Sequence, residues 1–481
     1  MRSRLIALVG VSFLAAGALP SPALAAPEVI VDTMNDGYDG TCADDCSIRD
    51  AIASVDDGGT VRIPPGSYQL SVSGAGGIEE GDLDLDRPVR IVGTGPLGTF
   101  LDASALGDRI FDIAAIVELH ELTLLGGSQV GTGGLVRVGS GRTRIADATL
   151  VGGVAQEGGA VAVGDGTAVR LVRSWVSTST ATGRGGALFA QGAATVVRST
   201  LSETQAGSGG GVWVAATGSV LLSNSTISGA SAQRGGGGLH VRGTADVRSA
   251  TIARNVAATG GGVFATPAAD VATIASVFEG NEATERAPTC SGPLTTGGRN
   301  VADGPGCGLD GPGDRSSVDP MLGPLRSNGG PTPTHAVRIG SPAVGNGGAS
   351  CPAVDQRGAP RRDCDSGAYE LVFCLGRPVT IVGTPRRDDL SGGLGRDVFL
   401  GRSGNDDFQG SLAADRACGG RGNDHLIGGP DDDRLAGGAG RDVLEGEQGD
   451  DRLDGGGNRD RCLGDGGADE ARRCEVVTSA T

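Results

Sequence analysis

The chain has 481 residues, with 57 acidic and 40 basic side chains, a formal net charge of −17, 88 glycines and 3% aromatic residues. So acidic a surface weighs against nucleic acid and anionic membrane as partners and favours cations. So few aromatics among so many turn-formers weigh against one large conventional core and point to a repetitive, turn-rich β architecture.

Residues 1–26 read as a secretory signal peptide: Arg2 and Arg4 at the start, an apolar run from Leu5 to Leu19, and small residues at Ala23-Leu24-Ala25 for cleavage near Ala26. The apolar run falls short of the roughly 20 residues that span a bilayer. The expectation is a secreted, extracellular protein with no membrane span, released or held non-covalently at the cell surface. Its ten cysteines should then be paired. Local spacing predicts Cys42–Cys46, Cys290–Cys307, Cys351–Cys364 and Cys462–Cys474; Cys374 and Cys418 pair only by elimination. Zinc is disfavoured, because the chain has no CxxC pair and only four histidines.

Residues 27–87 are expected to form an N-terminal cap and the first coils of a solenoid. Ser47 can cap a short helix with Asp50 three residues on, and Ile48, Ala51, Ile52 and Val55 give that helix an apolar face. Gly58-Gly59 ends it, and Val61 and Ile63 alternate on a strand before Pro64-Pro65-Gly66. A helix over the open edge of a first coil prevents edge pairing. Cys46-Ser47-Ile48-Arg49-Asp50-Ala51 resembles the CSLREA motif that opens many exported β-helical proteins, with Ile for Leu and Asp for Glu.

Residues 88–285 repeat with a longer period. Leu150, Val176, Leu201, Ile227, Ile252 and Phe278 follow at intervals of 26, 25, 26, 25 and 26, and glycine clusters keep similar time. Three short strands per turn of about 25 residues make a coil of a parallel β-helix. Ser199-Thr200, Ser225-Thr226 and Thr251 can form hydroxyl ladders, and Asn255 and Asn281, one coil apart, an amide ladder. The stretch resembles the pectin-lyase-like right-handed β-helix. That fold hosts polysaccharide lyases and glycosidases, which need clustered carboxylates or a cation beside a basic residue. Asp147, Glu157, Asp165, Glu203, Asp246, Asp270 and Glu279 form no cluster in sequence. Arg173, Arg198, Arg248 and Arg254 read as a solvated face, His120 and His240 as structural or surface residues, and Trp175 and Trp213 as fillers of wide coils or platforms for a sugar. With no HExxH and no GxSxG, no catalytic residue is assigned.

In residues 286–374 the rhythm breaks. Val318 to Leu325, Asn328-Gly329-Gly330-Pro331-Thr332-Pro333-Thr334-His335-Ala336, Asp355-Gln356-Arg357-Gly358 and Cys364 to Glu370 resemble the choice-of-anchor Q domain, departing from it at Asn346, where an aspartate is usual. Members of that group pair this module with varied C-terminal attachment devices. The segment is expected to cap the β-helix, pinned by two disulfides.

Residues 375–481 contain the sharpest pattern in the chain. Written in nines from residue 383, each line opens on glycine, among them Gly392, Gly401, Gly419, Gly428, Gly437, Gly446, Gly455 and Gly464. Each line has aspartate in sixth place: Asp388, Asp397, Asp406, Asp415, Asp424, Asp433, Asp442, Asp451, Asp460 and Asp469. The eighth place is mostly apolar, as in Leu390, Phe399, Phe408 and Leu426. Nine residues make half a coil, so the aspartates fall into two stacks, roughly 4.8 Å between neighbours, that repel without a cation between them. Calcium takes such carboxylates together with backbone carbonyls, and the opening glycines are expected to supply positive φ and a tight turn. The segment resembles the RTX calcium-binding nonapeptide repeat, a calcium-filled parallel β-roll. The lines opening at 383, 410, 428 and 455 lack the fourth-place glycine of that repeat.

Together these readings predict an all-β protein, a right-handed parallel β-helix followed by a calcium-binding β-roll. Its expected role is that of an adhesive or structural surface component with calcium as its cofactor, its partners a surface polysaccharide or another surface protein. The alternative is a polysaccharide lyase or glycosidase with a calcium-binding accessory module.

Overall fold

The computed structural model describes residues 27–74, 77–286, 288–349 and 351–479; the expected signal peptide lies outside them. Parallel sheets of eleven, nine and ten strands, with a fourth of six at one corner, build a β-helix over residues 28–302. Each coil gives one strand to each main sheet, so every backbone ladder runs between coils. Leu150, Val176, Leu201, Ile227, Ile252 and Phe278 pair in one unbroken row. Leu101 and Leu124 extend that row in front and Ala302 behind. All nine are wholly buried. Strict alternation explains why: on the strand Ala193–Val197, Ala194 and Val196 face the core and their neighbours face out.

The polar ladders fall inside the same tube. Ser174, Ser199 and Ser225 are buried, and each hydroxyl accepts a backbone N–H from the coil before, at 3.3, 3.1 and 3.1 Å. Asn255 Nδ2 donates to Asn281 Oδ1 at 2.9 Å. Thr200, Thr226 and Thr251 turn outward instead.

Helix Ile48–Ser54 covers the first coils, with Ser47 and Asp50 closing a capping box. Arg49, fully buried, pairs with Asp36 at 2.7 Å and donates to the carbonyls of Ile78 and Gly81. Ser47→Ala should cost about 1 kcal/mol, seen as a lower urea midpoint for the solenoid; an unchanged midpoint would show that Asp50 alone holds the cap.

The segment 286–374 departs from the expected end cap. Strands Cys290–Ser291, Thr295–Thr296 and Val301–Ala302 continue the ladders, and residues 303–318 close the last coil, with Arg315 and Val318 bonded to its backbone. Residues 319–372 lie along the flank. Thr200 donates to the Pro333 carbonyl at 2.6 Å, Thr226 to Gln356 at 2.7 Å, and Ser228 meets His335 at 2.8 Å. Ala368 N–H donates to Thr251 at 3.1 Å, and Leu322 N–H to Glu279 at 2.8 Å. The physical reason is the outward hydroxyl row, whose donors and acceptors this segment satisfies. Arg198 is part of that seam, not of a solvated face, and donates to the Gln356 carbonyl at 3.2 Å.

From residue 381 two six-stranded parallel sheets form a roll, neighbouring strands of each sheet pairing eighteen residues apart except at the last strand. Its core is a single file on each side, with Phe399 and Phe408 stacked at 4.7 Å and Leu426, Leu435, Leu444 and Leu453 following. Five disulfides close: Cys42–Cys46, Cys290–Cys307, Cys351–Cys364, Cys374–Cys418 and Cys462–Cys474. The fourth ties the flank segment to the roll. Among the described residues no helix is long and apolar enough to cross a membrane.

Candidate metal centre

The strands of the roll from Arg416 to Gly457 are six residues long, as Arg434–Ala439 and Val443–Gln448, and run from the end of one nonapeptide into the start of the next; the turns between them explain the other residues. From the third nonapeptide on, the fourth place takes positive φ whether or not it is glycine: 129° at Gly422 and 151° at Gly440, but also 74° at Ala413, 85° at Asp431 and 81° at Asn458. The second place does the same, as at Gly420 and Gly438, both near 112°. The opening glycine has another function than the positive φ expected of it. A Cβ on Gly419 would stand 2.3 Å from Asp424 Oδ2, and one on Gly437 would stand 2.4 Å from Asp442 Oδ2. First place must be glycine because the aspartate of its own turn folds back onto it.

That arrangement brings oxygens together. Beside Gly401, Asp406 Oδ2 and the Gly419 carbonyl converge, 2.5 and 2.4 Å from the point a Cβ would occupy. Beside Gly410, Asp415 Oδ2 and the Gly428 carbonyl do so at 2.5 and 2.3 Å. Each such pair unites a carboxylate of one coil with a carbonyl of the next.

The aspartates themselves are half satisfied. Oδ1 accepts the backbone N–H of the aspartate one coil before: Asp406 to Asp424, Asp424 to Asp442 and Asp442 to Asp460, all at 2.9 Å; Asp415 to Asp433 and Asp433 to Asp451 at 2.6 and 2.8 Å. Oδ2 of Asp406, Asp415, Asp424, Asp433, Asp442, Asp451 and Asp460 is buried without a hydrogen-bond partner, and each residue is at most 1% exposed. A buried, unpartnered carboxylate oxygen is costly, and its recurrence at seven successive positions suits a cation. The terminal Asp388, Asp397 and Asp469 are half-buried. Asp388 and Asp397 turn Oδ2 to the N–H of Thr384 and Gly393. Place in the stack, rather than the fourth-place glycine, thus decides which carboxylates are left open.

Burial pushes these carboxyls up, and facing carboxylates add to it: Asp406, Asp442 and Asp451 to about 6, Asp415 to about 7 and Asp433 to about 8, with Asp424 raised too. Hard oxygen donors, two kinds per position and anionic, fit calcium. Asp406 through Asp460 would hold it, with the carbonyls of the opening glycines. The left-handed Ala413 costs about 1–2 kcal/mol, partly offset by glycine's greater chain entropy. Ala413→Gly should therefore stabilise the roll by up to about 1 kcal/mol, read as a higher midpoint of calcium-dependent melting; a lower midpoint would refute the strain.

Fifth-place residues form an outer ladder that sequence reasoning passed over: Asn405 Oδ1 accepts from Asn423 N–H, and Asp432 Oδ1 from Asp450 N–H, both at 2.9 Å. Elsewhere His240 stacks between Trp213 and Phe264 with its Nδ1 at the Gly235 carbonyl. His120 meets Glu118 at 3.1 Å, and Trp175 Nε1 donates to Ser202 at 2.8 Å. Arg173 pairs with Asp147. The seven acids considered in sequence form no cluster among the described residues, but the first coils hold one made of others. Asp82, Asp84 and Asp112 lie with one oxygen each within 4.8 Å of one another. Neighbouring strands set Asp84 opposite Asp112, 28 residues on, which no local spacing reveals. Arg109 reaches Asp112 at 2.9 Å and Asp82 at 3.4 Å, and Arg137 reaches Asp112 at 3.2 Å. Burial and Asp108 push Asp82 up to about 7.

Fold and site together define a calcium-binding parallel β-solenoid protein. The model of the RTX calcium-binding nonapeptide repeat, in four copies, matches residues 382–417, 409–444 and 437–471, so the roll consists of RTX calcium-binding repeats. No curated protein matches the chain. Among solved structures, pectate lyase Pel9A is similar at 13% identity over 72% of this chain and 97% of its own, with a TM-score of 0.38. The PL6 family alginate lyase AlyGC is similar at 10% identity over 94% and 81%, with a TM-score of 0.29.

Proposed function

We propose that the protein is exported and serves as an adhesive or structural component of the cell surface whose C-terminal roll folds on meeting extracellular calcium. The observation that carries this reading is the row of seven buried, unpartnered aspartate oxygens in a roll with a single-file core. Bound calcium supplies the positive charge that both columns lack. The chain supplies the rest: Oδ1 fixes the register between coils, Oδ2 and the glycine carbonyls present oxygens, and the side-chain-free first place leaves them room. At ten times Kd each independent site adds roughly 1.4 kcal/mol, so several together decide whether the roll folds. The resemblance of residues 318–370 to modules that precede attachment devices supports a surface role.

The test is retention. Cells displaying the chain should release it, or lose adhesion to their substratum, when washed with EGTA and recover on calcium addition. Retention and adhesion both indifferent to calcium would overturn the surface role.

A second reading, glycoside cleavage, is favoured by the Asp82, Asp84 and Asp112 trio beside a groove that Asp84, Asp112 and Arg137 line. Turnover of a uronate or neutral polysaccharide that disappears in Asp112→Asn would establish it.

A further inference from the structure

Ten nonapeptides end at Arg472, yet the roll has an eleventh turn. Arg473 stands where an eleventh opening glycine would stand, in left-handed conformation at φ 51°. Its carbonyl lies 2.3 Å from the point a Cβ on Gly455 would occupy, as the Gly419 carbonyl lies 2.4 Å from that point beside Gly401. The strand Val476–Ser479 then pairs too early. Arg461 faces Val476 and Cys462 faces Val477, where a spacing of eighteen calls for residues 479 and 480. The turn has lost three residues, and with them the position of an eleventh sixth-place aspartate, now Thr478.

Glu475 takes that position's work. Its Oε2 accepts the backbone N–H of Asp460, the bond that Asp424, Asp442 and Asp460 each make to the aspartate one coil before. Its own N–H donates to the Asp460 carbonyl at 3.0 Å. The Cys462–Cys474 disulfide holds the adjoining residue to the core. Asp460 Oδ2, 1% exposed, has no partner and lies on the Gly455 side of this turn, 2.7 Å from the same point as the Arg473 carbonyl. A glutamine would make the hydrogen bond equally well. What glutamate adds is negative charge at the Asp460 backbone: Arg473 turns away to Asp454, and Glu475, exposed in a groove it shares with Arg441 and Arg459, forms no ion pair among the described residues.

We propose that Glu475 is a metal ligand. With Asp460 and the Arg473 carbonyl it completes a divalent-cation site beyond the last nonapeptide, ending the column of Asp388, Asp406, Asp424, Asp442 and Asp460. The inference rests on the calcium reading of the roll and adds one site that the repeat pattern does not contain.

The test is calorimetric titration of the EGTA-stripped, full exported chain with calcium chloride, comparing wild type with Glu475→Gln, and with Glu470→Gln as an exposed control outside the column. E475Q should lose one equivalent of calcium, or bind one at least about tenfold more weakly, while E470Q matches wild type. Hydrogen exchange over residues 455–479 gives a second reading: calcium should slow it about tenfold in wild type and far less in E475Q. Equal stoichiometry, affinity and protection in E475Q would reduce Glu475 to a hydrogen-bonding cap and overturn the site. A wild type that takes up no calcium would instead overturn the calcium reading of the whole roll.

Discussion

In EGTA at pH 8 the roll, residues 379–479, should lose its β signal and become open to proteases while the β-helix of residues 28–302 keeps both its signal and its resistance. The two parts differ in what fills them. The β-helix is packed by continuous rows of Val, Leu and Ile, whereas the roll has one apolar residue per turn and a buried carboxylate beside each. Without a cation those carboxylates must hold protons or repel. Their ordinary value is near 3.8, and in the folded roll burial raises Asp406, Asp442 and Asp451 to about 6, Asp415 to about 7 and Asp433 to about 8. The folded, calcium-free roll therefore binds protons more tightly than the unfolded chain. Its stability is fullest below about pH 4 and falls as pH rises through 6 to 8. Acidifying the EGTA sample to pH 5 should restore part of the β signal with no calcium added, and calcium binding at pH 7 should release protons into a weakly buffered solution. A calcium-free circular dichroism spectrum identical at pH 5 and pH 8 would contradict the account.

Arg357→Ala should cost about 3–5 kcal/mol, the usual effect of leaving one partner of a buried ion pair alone. Arg357 and Asp355 are both without side-chain exposure and pair at 2.9 Å. The guanidinium lies 3.7 Å over the Tyr369 ring and donates to the Asn328 and Glu370 carbonyls at 3.1 and 2.7 Å. Asp355 in turn accepts the N–H groups of Gly358, Ala359 and Glu370. One residue thus organises three stretches of the flank segment. Arg357→Lys should recover little, since an ammonium cannot replace a planar fork that both stacks and donates in several directions. Urea unfolding, with proteolysis between 319 and 380 as the local probe, reads the effect; a loss under about 1 kcal/mol would show that the pair is not what holds the segment.

Strict periodicity made much of this legible in sequence. The row from Leu150 to Phe278 and the aspartates from Asp388 to Asp469 repeat at intervals set by the coil, and strand ladders join the first while N–H to Oδ1 bonds join the second at those intervals. The capping box at Ser47 and Asp50 is local, and local chemistry reads directly. What stayed hidden depends on contacts between distant residues. Thr226 and Gln356 meet across 130 positions, so nothing in the rhythm of residues 319–372 shows that they line the flank. Asp84 and Asp112 meet only once strand register is known. The turns were misread more subtly. Glycine was rightly expected there, but its place in the turn decides whether it serves φ or space, and a pattern of letters does not separate the two.

The seam along the flank also governs how tension would travel. Residues 319–372 are bonded to coils carrying Thr200, Thr226, Thr251 and Glu279, and the Cys374–Cys418 disulfide links their end to the roll. A pull applied through the roll is therefore not delivered to the last coil, which would unzip one bond at a time. It spreads as shear over four coils, loading many bonds at once, so this path should bear more force than its modest individual contacts imply.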